Sequence, residues 1–304
     1  MKLPFSHPSL TPYAGRFQTA SSAEPGSLRV AFAGTSTLHF STDEASILID
    51  GFFTRPSLVR VSTGKIAPDP EAIERGLELL GVDGVDAIAC VHSHFDHAMD
   101  APFIARIKDA DILGSESTAN LARGGSVPAE HIVVVTPDEP HAYGDITMQF
   151  VDSIHSPGDR IPGTIDEPFS APAPYKAWKT GTCFSIFLEH RDRTVLVHAS
   201  TNFVPGALAG RRADVVYLGS AMLGKLGEEF FDDYWREVVL ATGASRVIPV
   251  HWDNFFKPAK DSLSALPYLA DDFDIMMALL DSRGARDGVE IVLPPLWETT
   301  DPFA

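Results

Sequence analysis

The stretch that most constrains this chain is Val91-His92-Ser93-His94-Phe95-Asp96-His97, an H-x-H-x-D-H run directly behind the apolar segment Val85 to Val91. Six positions taken blindly from this composition hold about 0.2 of a histidine; this run holds three. In an extended segment alternate side chains project the same way, so His92 and His94 can share one cation. Asp96 and His97 follow where the chain must turn, and can serve a second cation nearby. A polar helix cap with incidental imidazoles would instead crowd uncompensated donors and acceptors into one turn. The run predicts a metal site delivered at the end of a strand.

Two further histidines occupy the same kind of position. His155 and His251 each stand just past an apolar, strand-like run, Ile146 to Val151 and Val247 to Val250. Ligands at the ends of several strands converge on one edge of a sheet. His7, His39, His131, His141 and His190 lack that setting and are expected at the surface or in turns; His198 is expected in the core with its hydrogen bonds met. The Pro/Gly-rich segment from Ser156 to Gly181 begins beside His155 and carries Phe169, Tyr175, Trp178, Arg160, Lys176 and Lys179. Irregular loops of that length are uncommon unless functional, so it is expected to contact a small-molecule substrate.

Around these residues the pattern is α/β. Strands are expected at Leu28 to Ala33, Thr37 to Phe40, Ser46 to Ile49, Val85 to Val91, Asp111 to Gly114, Ile132 to Val135, Ile146 to Val151, Thr182 to Leu188, Thr194 to His198, Asp214 to Leu218, Arg246 to Val250 and Ile291 to Leu293. Helices are expected at Glu71 to Leu80, after Asp100-Ala101-Pro102 (an N-cap followed by Pro), at Ser117 to Arg123, Glu228 to Leu240 and Phe273 to Leu280. Interspersed strands and helices favour a layered arrangement on a single core. Residues 1–27, with Pro4, Pro8, Pro12, Pro25 and a turn at 21–26, read as an irregular N-terminal arm, and 28–304 as one domain.

Composition removes several function classes. A net charge of −17 argues against a nucleic-acid or anionic-membrane surface, which needs a basic face. No apolar run is long enough for a transmembrane helix, and the first 18 residues carry no apolar signal segment. Cys90 and Cys183, far apart and in no metal pattern, read as buried reduced thiols of a cytoplasmic protein.

The H-x-H-x-D-H run, a strand-end histidine about 60 residues on, and a late strand-end His251-Trp252 together resemble the metallo-β-lactamase fold family of metallohydrolases. The likeness runs from about Leu28 to Leu293, and Ala33-Gly34-Thr35-Ser36 and Ile47-Leu48-Ile49-Asp50 are similar to the family's first strands. Pro249-Val250-His251-Trp252 is closer to the branch containing L-ascorbate-6-phosphate lactonase and the N-acylphosphatidylethanolamine-hydrolysing phospholipases than to the antibiotic-destroying enzymes. The resemblance implies a four-layer αββα sandwich with zinc, or manganese or iron, at one edge. His92, His94 and His155 would hold the first ion, Asp96, His97 and His251 the second, and Asp50 would orient ligand imidazoles.

One position departs from that family. Where it usually places an aspartate bridging the two ions, Val195-Leu196-Val197-His198-Ala199-Ser200 puts Ser200. Either one ion binds, or two bind with Asp96 as the sole carboxylate, favouring an anionic ester substrate; His198 is a weaker candidate to reach inward, since two residues of strand span roughly 6–7 Å. The expected chemistry is hydrolysis by water whose pKa a bound ion lowers toward ~7, with Asp96 orienting the water or carrying its proton. The competing readings are a catalytically impaired binding homologue, and iron-based oxidation, for which the missing aspartate and His94 both count against the chain.

Overall fold

The computed structural model describes residues 2–21, 24 and 26–304; Ser22, Ala23 and Pro25 of the turn expected at 21–26 lie outside the described residues. Two seven-stranded sheets form the centre. In the first, the spatial order is Thr299–Thr300, Arg29–Phe32, Leu38–Ser41, Ser46–Ile49, Ala87–Ala89, Asp111–Gly114, Ile132–Val134. In the second it is Glu290–Ile291, Arg246–Val250, Val215–Gly219, Arg193–His198, Cys183–His190, Ile146–Ser153, Pro140–Tyr143. Each sheet is mixed. Hairpins such as Leu38–Ser41 with Ser46–Ile49 pair antiparallel, and strands joined through helices pair parallel.

Alternation along the strands makes three apolar layers. Between the sheets lie Val30, Phe32, Phe40 and Ile47 of one and Phe150, Ile186, Val195 and Tyr217 of the other. Outside the first sheet, Leu48, Ile88 and Ile112 meet the helices Leu58–Thr63, Pro70–Leu79, Ala101–Lys108 and Glu116–Gly124. Outside the second, Leu196, Val216 and Val247 meet Glu228–Tyr234, its π-helical continuation Trp235–Leu240, and Phe273–Asp287. The result is helix, sheet, sheet, helix.

Met276 and Met277 are fully buried in this last layer. Within the N-terminal arm, Thr11–Arg16 forms a 3-10 helix. Tyr13 packs edge-on against Phe273 with ring centroids 5.1 Å apart, which the Pro-rich composition concealed. Short edge pieces also escaped the sequence: Pro140–Tyr143, Thr299–Thr300, and the ladder of Lys65–Ile66 with Ala173–Pro174 are too brief for a period to register. No helix among the described residues is long and apolar enough to cross a membrane.

Asp100 illustrates how the fold stiffens the neighbourhood of the H-x-H-x-D-H run. It stands at the N-cap of Ala101–Lys108 with Pro in the first turn, yet its side chain does not cap the helix. Fully buried, the carboxylate instead accepts the N–H of Phe53 at 2.8 Å and of Thr54 at 2.7 Å, and the Thr54 hydroxyl at 2.7 Å. Burial pushes its pKa up to about 6 against those bonds. It ties the segment after Asp50 to the helix after His97. Asp100→Ala leaves those donors without an acceptor and is expected to lower the unfolding free energy by roughly 2–4 kcal/mol in urea titrations.

Candidate metal centre

The strand Ala87–Ala89 ends just before the run, and the chain stays extended through His94, whose φ of −62° and ψ of 155° make it the N-cap of a single helical turn, Phe95–Ala98. The extension lets His92 and His94 face one another, with ring centroids 4.9 Å apart; the turn then swings Asp96 and His97 alongside. His155 arrives two residues past the strand Ile146–Ser153, and its ring lies 5.0 Å from His92 and 4.6 Å from His94. His251 follows Arg246–Val250 directly.

The structure thus brings the six residues into two trios, His92, His94 and His155, and Asp96, His97 and His251, whose donor atoms within each trio lie within 4.8 Å of one another. In the second trio His251 Nε2 is 3.2 Å from His97 Nε2 and 3.4 Å from Asp96 Oδ2, and His97 Nε2 is 3.7 Å from Asp96 Oδ2. Ligands about 2.0–2.1 Å from a tetrahedral zinc stand about 3.3–3.4 Å apart. Among the described residues, neither nitrogen of the buried His92 has a hydrogen-bond partner, nor has Nδ1 of His251. Buried polar atoms are otherwise paired almost everywhere in proteins, so the bare nitrogens of His92 fit a cation; His251 faces its trio through Nε2. The rings of His92 and His97, 4.0 Å apart, join the trios.

Electrostatics favour ligand protonation states. Burial, then the four neighbouring imidazoles, holds the His92 pKa well below the ordinary histidine value. Burial and His94 push His155 down to about 4. Burial works to raise Asp96, but His97 and the hydrogen bond with His251 outweigh it and hold the carboxyl below its usual range.

Supporting residues fix the rings. Asp50, fully buried, accepts the Val91 N–H at 2.9 Å through one oxygen and faces His97 Nδ1 at 2.8 Å with the other, turning His97 Nε2 toward the trio. Ser36 Oγ, which sequence reading missed, lies 2.9 Å from the same Nδ1 and donates to Asp50. His251 has a φ of +62°, costly for a residue with a side chain, and is held there by its N–H to the Thr35 carbonyl at 2.6 Å. A buried ion pair locks that contact: Asp253 accepts the Thr35 N–H at 2.7 Å and Arg55 at 2.8 Å. Gly34 is required here, because a Cβ would lie 2.0 Å from the Arg55 guanidinium. Trp252 anchors the other side, buried against Phe273. These partners lie far apart in the chain and carry no local signal.

Ser200 is buried two residues beyond the strand Arg193–His198. Its segment brackets His155 instead: Asn202 Nδ2 donates to the His155 carbonyl and the Thr201 N–H to Ser156 Oγ, each at 2.8 Å. His198 does not turn to the centre. Its Nε2 donates to the Asn202 carbonyl at 2.6 Å and its Nδ1 meets the Ser185 hydroxyl at 2.7 Å, so both nitrogens are satisfied.

Other expectations need correction. His39 and His190 are buried rather than superficial, satisfied by Ser46 Oγ at 2.9 Å and Asp145 at 3.1 Å. In the segment 156–181 the aromatic residues serve the core: Trp178 is buried edge-on to Phe169 at 5.1 Å, and Phe169 and Tyr175 pack on the helices covering the first sheet. What that segment offers the centre is Asp159 and Thr180, beside His94. Both cysteines are free and buried.

The sequence matches no protein-family model and no curated protein. Solved structures do match. An isothiocyanate hydrolase from Delia radicum gut bacteria is 16% identical with a TM-score of 0.56, covering 90% of this chain and 98% of that one. The metallo-β-lactamase fold protein YhfI from Bacillus subtilis is 14% identical with a TM-score of 0.52, covering 90% and 98%. This chain has the metallo-β-lactamase fold. CmlA, a diiron β-hydroxylase from Streptomyces venezuelae, shares it at 14% identity and a TM-score of 0.51, covering 92% of this chain and 54% of that one. Identities this low establish architecture and leave chemistry to the site.

His198 supplies a pH test of its core role. Burial pushes its pKa down to about 4 in the folded protein, against about 6.5 unfolded. The unfolded chain therefore binds the extra proton between those values, so stability is present above pH ~6.5 and lost as pH falls through ~4. In metal-free protein, His198→Gln is expected to shrink the loss of unfolding free energy between pH 7 and 4 by on the order of 2–3 kcal/mol, measured by urea titration at each pH.

Proposed function

We propose that the chain is a metal-dependent hydrolase of ester-type bonds, acting on a small, anionic substrate such as a phosphodiester or a lactone bearing an acidic group. The observation that supports this is the convergence of six donor residues into two trios around the buried His92, whose two nitrogens have no hydrogen-bond partner among the described residues. His92, His94 and His155 would hold one ion, and Asp96, His97 and His251 a second. Nitrogen-rich sets suit zinc, with manganese or iron admissible. A divalent ion so placed supplies Lewis acidity, which brings water toward its nucleophilic form near neutral pH.

The chain's own residues do the rest. Asp96 faces His97 and His251 and holds its charge, so it can orient an incoming water. Asp50 and Ser36 keep His97 from rotating, and Arg55 with Asp253 keeps His251 at its strained backbone angle. The six ligands include one carboxylate among five imidazoles. A doubly loaded centre therefore keeps a positive excess, which selects an anionic substrate. Phe255, edge-on to His251 at 5.4 Å, and Phe256 provide an apolar wall beside that charge. Ser200, standing where the family this chain resembles places its bridging aspartate, counts against iron-based oxidation. Residues 28–304 form the hydrolase unit in this reading, with 1–27 as an arm, and the reduced cysteines suit a cytoplasmic setting. The Pro249–Trp252 segment supports kinship with the lactonase and N-acylphosphatidylethanolamine phospholipase branch.

Elemental analysis with an ester panel tests the reading. Wild type is expected to retain zinc and to hydrolyse an aryl phosphodiester or an acidic lactone. His92→Ala should lower kcat/KM by about 10³-fold or more together with metal content, while Ser200→Asp should tighten the second ion. A folded wild type that takes up no metal, or takes it up and hydrolyses no member of the panel, would identify an impaired binding homologue instead.

A further inference from the structure

The long loop between the strands Ile146–Ser153 and Cys183–His190 returns to where it left. The two strands pair antiparallel with Cys183 opposite Ser153, so the loop's last residues must lie beside His155. There it is sewn to the ligand run through Ser93, the residue between His92 and His94. The Ser93 N–H donates to the Thr180 carbonyl at 2.9 Å and its hydroxyl to the Lys179 carbonyl at 2.6 Å. The Thr180 N–H donates to the Ile161 carbonyl at 3.0 Å, and the Ile161 N–H to Asp159 Oδ1 at 2.8 Å. Gly181, at a φ of +67°, passes so close that a Cβ would stand 2.7 Å from Ser117 and 2.8 Å from Ser93.

This stitching places one hydroxyl and one carboxylate against the outer edge of His94. Thr180 Oγ1 lies 2.9 Å from His94 Nε2 and donates to Asp159 Oδ2, while Asp159 Oδ1 is 3.4 Å from the same nitrogen. A hydroxyl has one proton, and the charged acceptor outcompetes the Ile161 carbonyl for it. Thr180 must then accept from His94, which puts the imidazole proton on Nε2 and leaves Nδ1 with its lone pair free. Asp159 is not itself within the mutual reach that unites His92, His94 and His155.

Resting on the metal reading above, we infer that Asp159 and Thr180 are positioning residues that fix His94 as an Nδ1 ligand. They form the counterpart, on the first trio, of Asp50 and Ser36 on the second. The loop is thereby part of the metal centre rather than a cover over it.

Two measurements test the relay. On metal-depleted protein, two-bond 15N correlation spectra of the imidazoles read the His94 tautomer; wild type and Thr180→Ser should show the proton on Nε2, and Thr180→Val a mixture. Zn2+ titration against a chromophoric chelator should give a dissociation constant about 10–100-fold weaker for Thr180→Val and Asp159→Asn, with Thr180→Ser within about twofold of wild type. Circular dichroism melts identify any variant that is simply unfolded, and Thr180→Ser then carries the comparison with Asp159→Asn. A folded Thr180→Val with wild-type affinity overturns the inference and leaves the hydrolase reading standing. Loss of zinc in Asp159→Asn but not in Thr180→Val makes Asp159 a ligand and also overturns it. A wild type without zinc uptake overturns the hydrolase reading, and a proton on His94 Nδ1 in that protein overturns the relay as well.

Discussion

Imidazole lone pairs buried without hydrogen-bond partners are the constraint on which this molecule turns. The fold leaves both nitrogens of the buried His92 without a hydrogen-bond partner among the described residues and stands His97 Nε2 3.2 Å from His251 Nε2. Two such nitrogens facing one another repel unless one ring donates its N–H to the other or a cation lies between them. In water a proton could serve, but burial depresses the pKa of His92 and His155 and removes that remedy from them. A divalent cation relieves the conflict without displacing a side chain. The arrangement is unfavourable for stability alone, and such local violations mark functional sites.

Holding that conflict in place requires rigidity from three directions. The two sheets bring strand ends to one edge, which positions backbones but not rings. Rings are fixed by carboxylates set behind them: Asp50 behind His97, Asp159 behind His94 through Thr180. The third device acts on the main chain, where the Arg55–Asp253 pair, 1% and 0% exposed, clamps the Gly34–Thr35 turn to the His251 segment. A buried ion pair of this kind is weak evidence for added stability, because desolvation consumes its Coulombic gain. Its value lies in geometry: Asp253 also accepts the Thr35 N–H, and Thr35 accepts the N–H of His251. The strained backbone at His251 is thus over-determined by partners about 200 residues away.

Most strands and helices were legible because their periods are long enough to read, and the six centre residues because the ligand run is local and the other two histidines follow apolar strands. Residues that act by pairing across the chain were not. Nothing around Asp159 or Thr180 distinguishes them from other polar residues of a Pro-rich loop; only the return of that loop to Ser93 makes them neighbours of His94. The same blindness misplaced the loop's aromatics. Trp178 looked available for substrate because its surroundings are irregular, yet irregular backbone can still bury a large ring when helices supply the wall. His39 and His190 failed for a related reason: each lies within a strand, and a single polar partner, Ser46 or Asp145, suffices to keep it inside.

Ser200 becomes intelligible once the carboxylates are seen by depth. In contact with the donor set there is one, Asp96; a layer behind stand Asp50 and Asp159. Negative charge moved outward by one imidazole still orients the rings, but its Coulomb interaction with a bound ion would fall with distance. Under the hydrolase proposal, ions compensated in this way would be stronger electrophiles than ions sharing a bridging carboxylate and would bind anions more readily. Under the same proposal, the net charge of −17 would repel an anionic substrate from the surface and leave its selection to the centre itself.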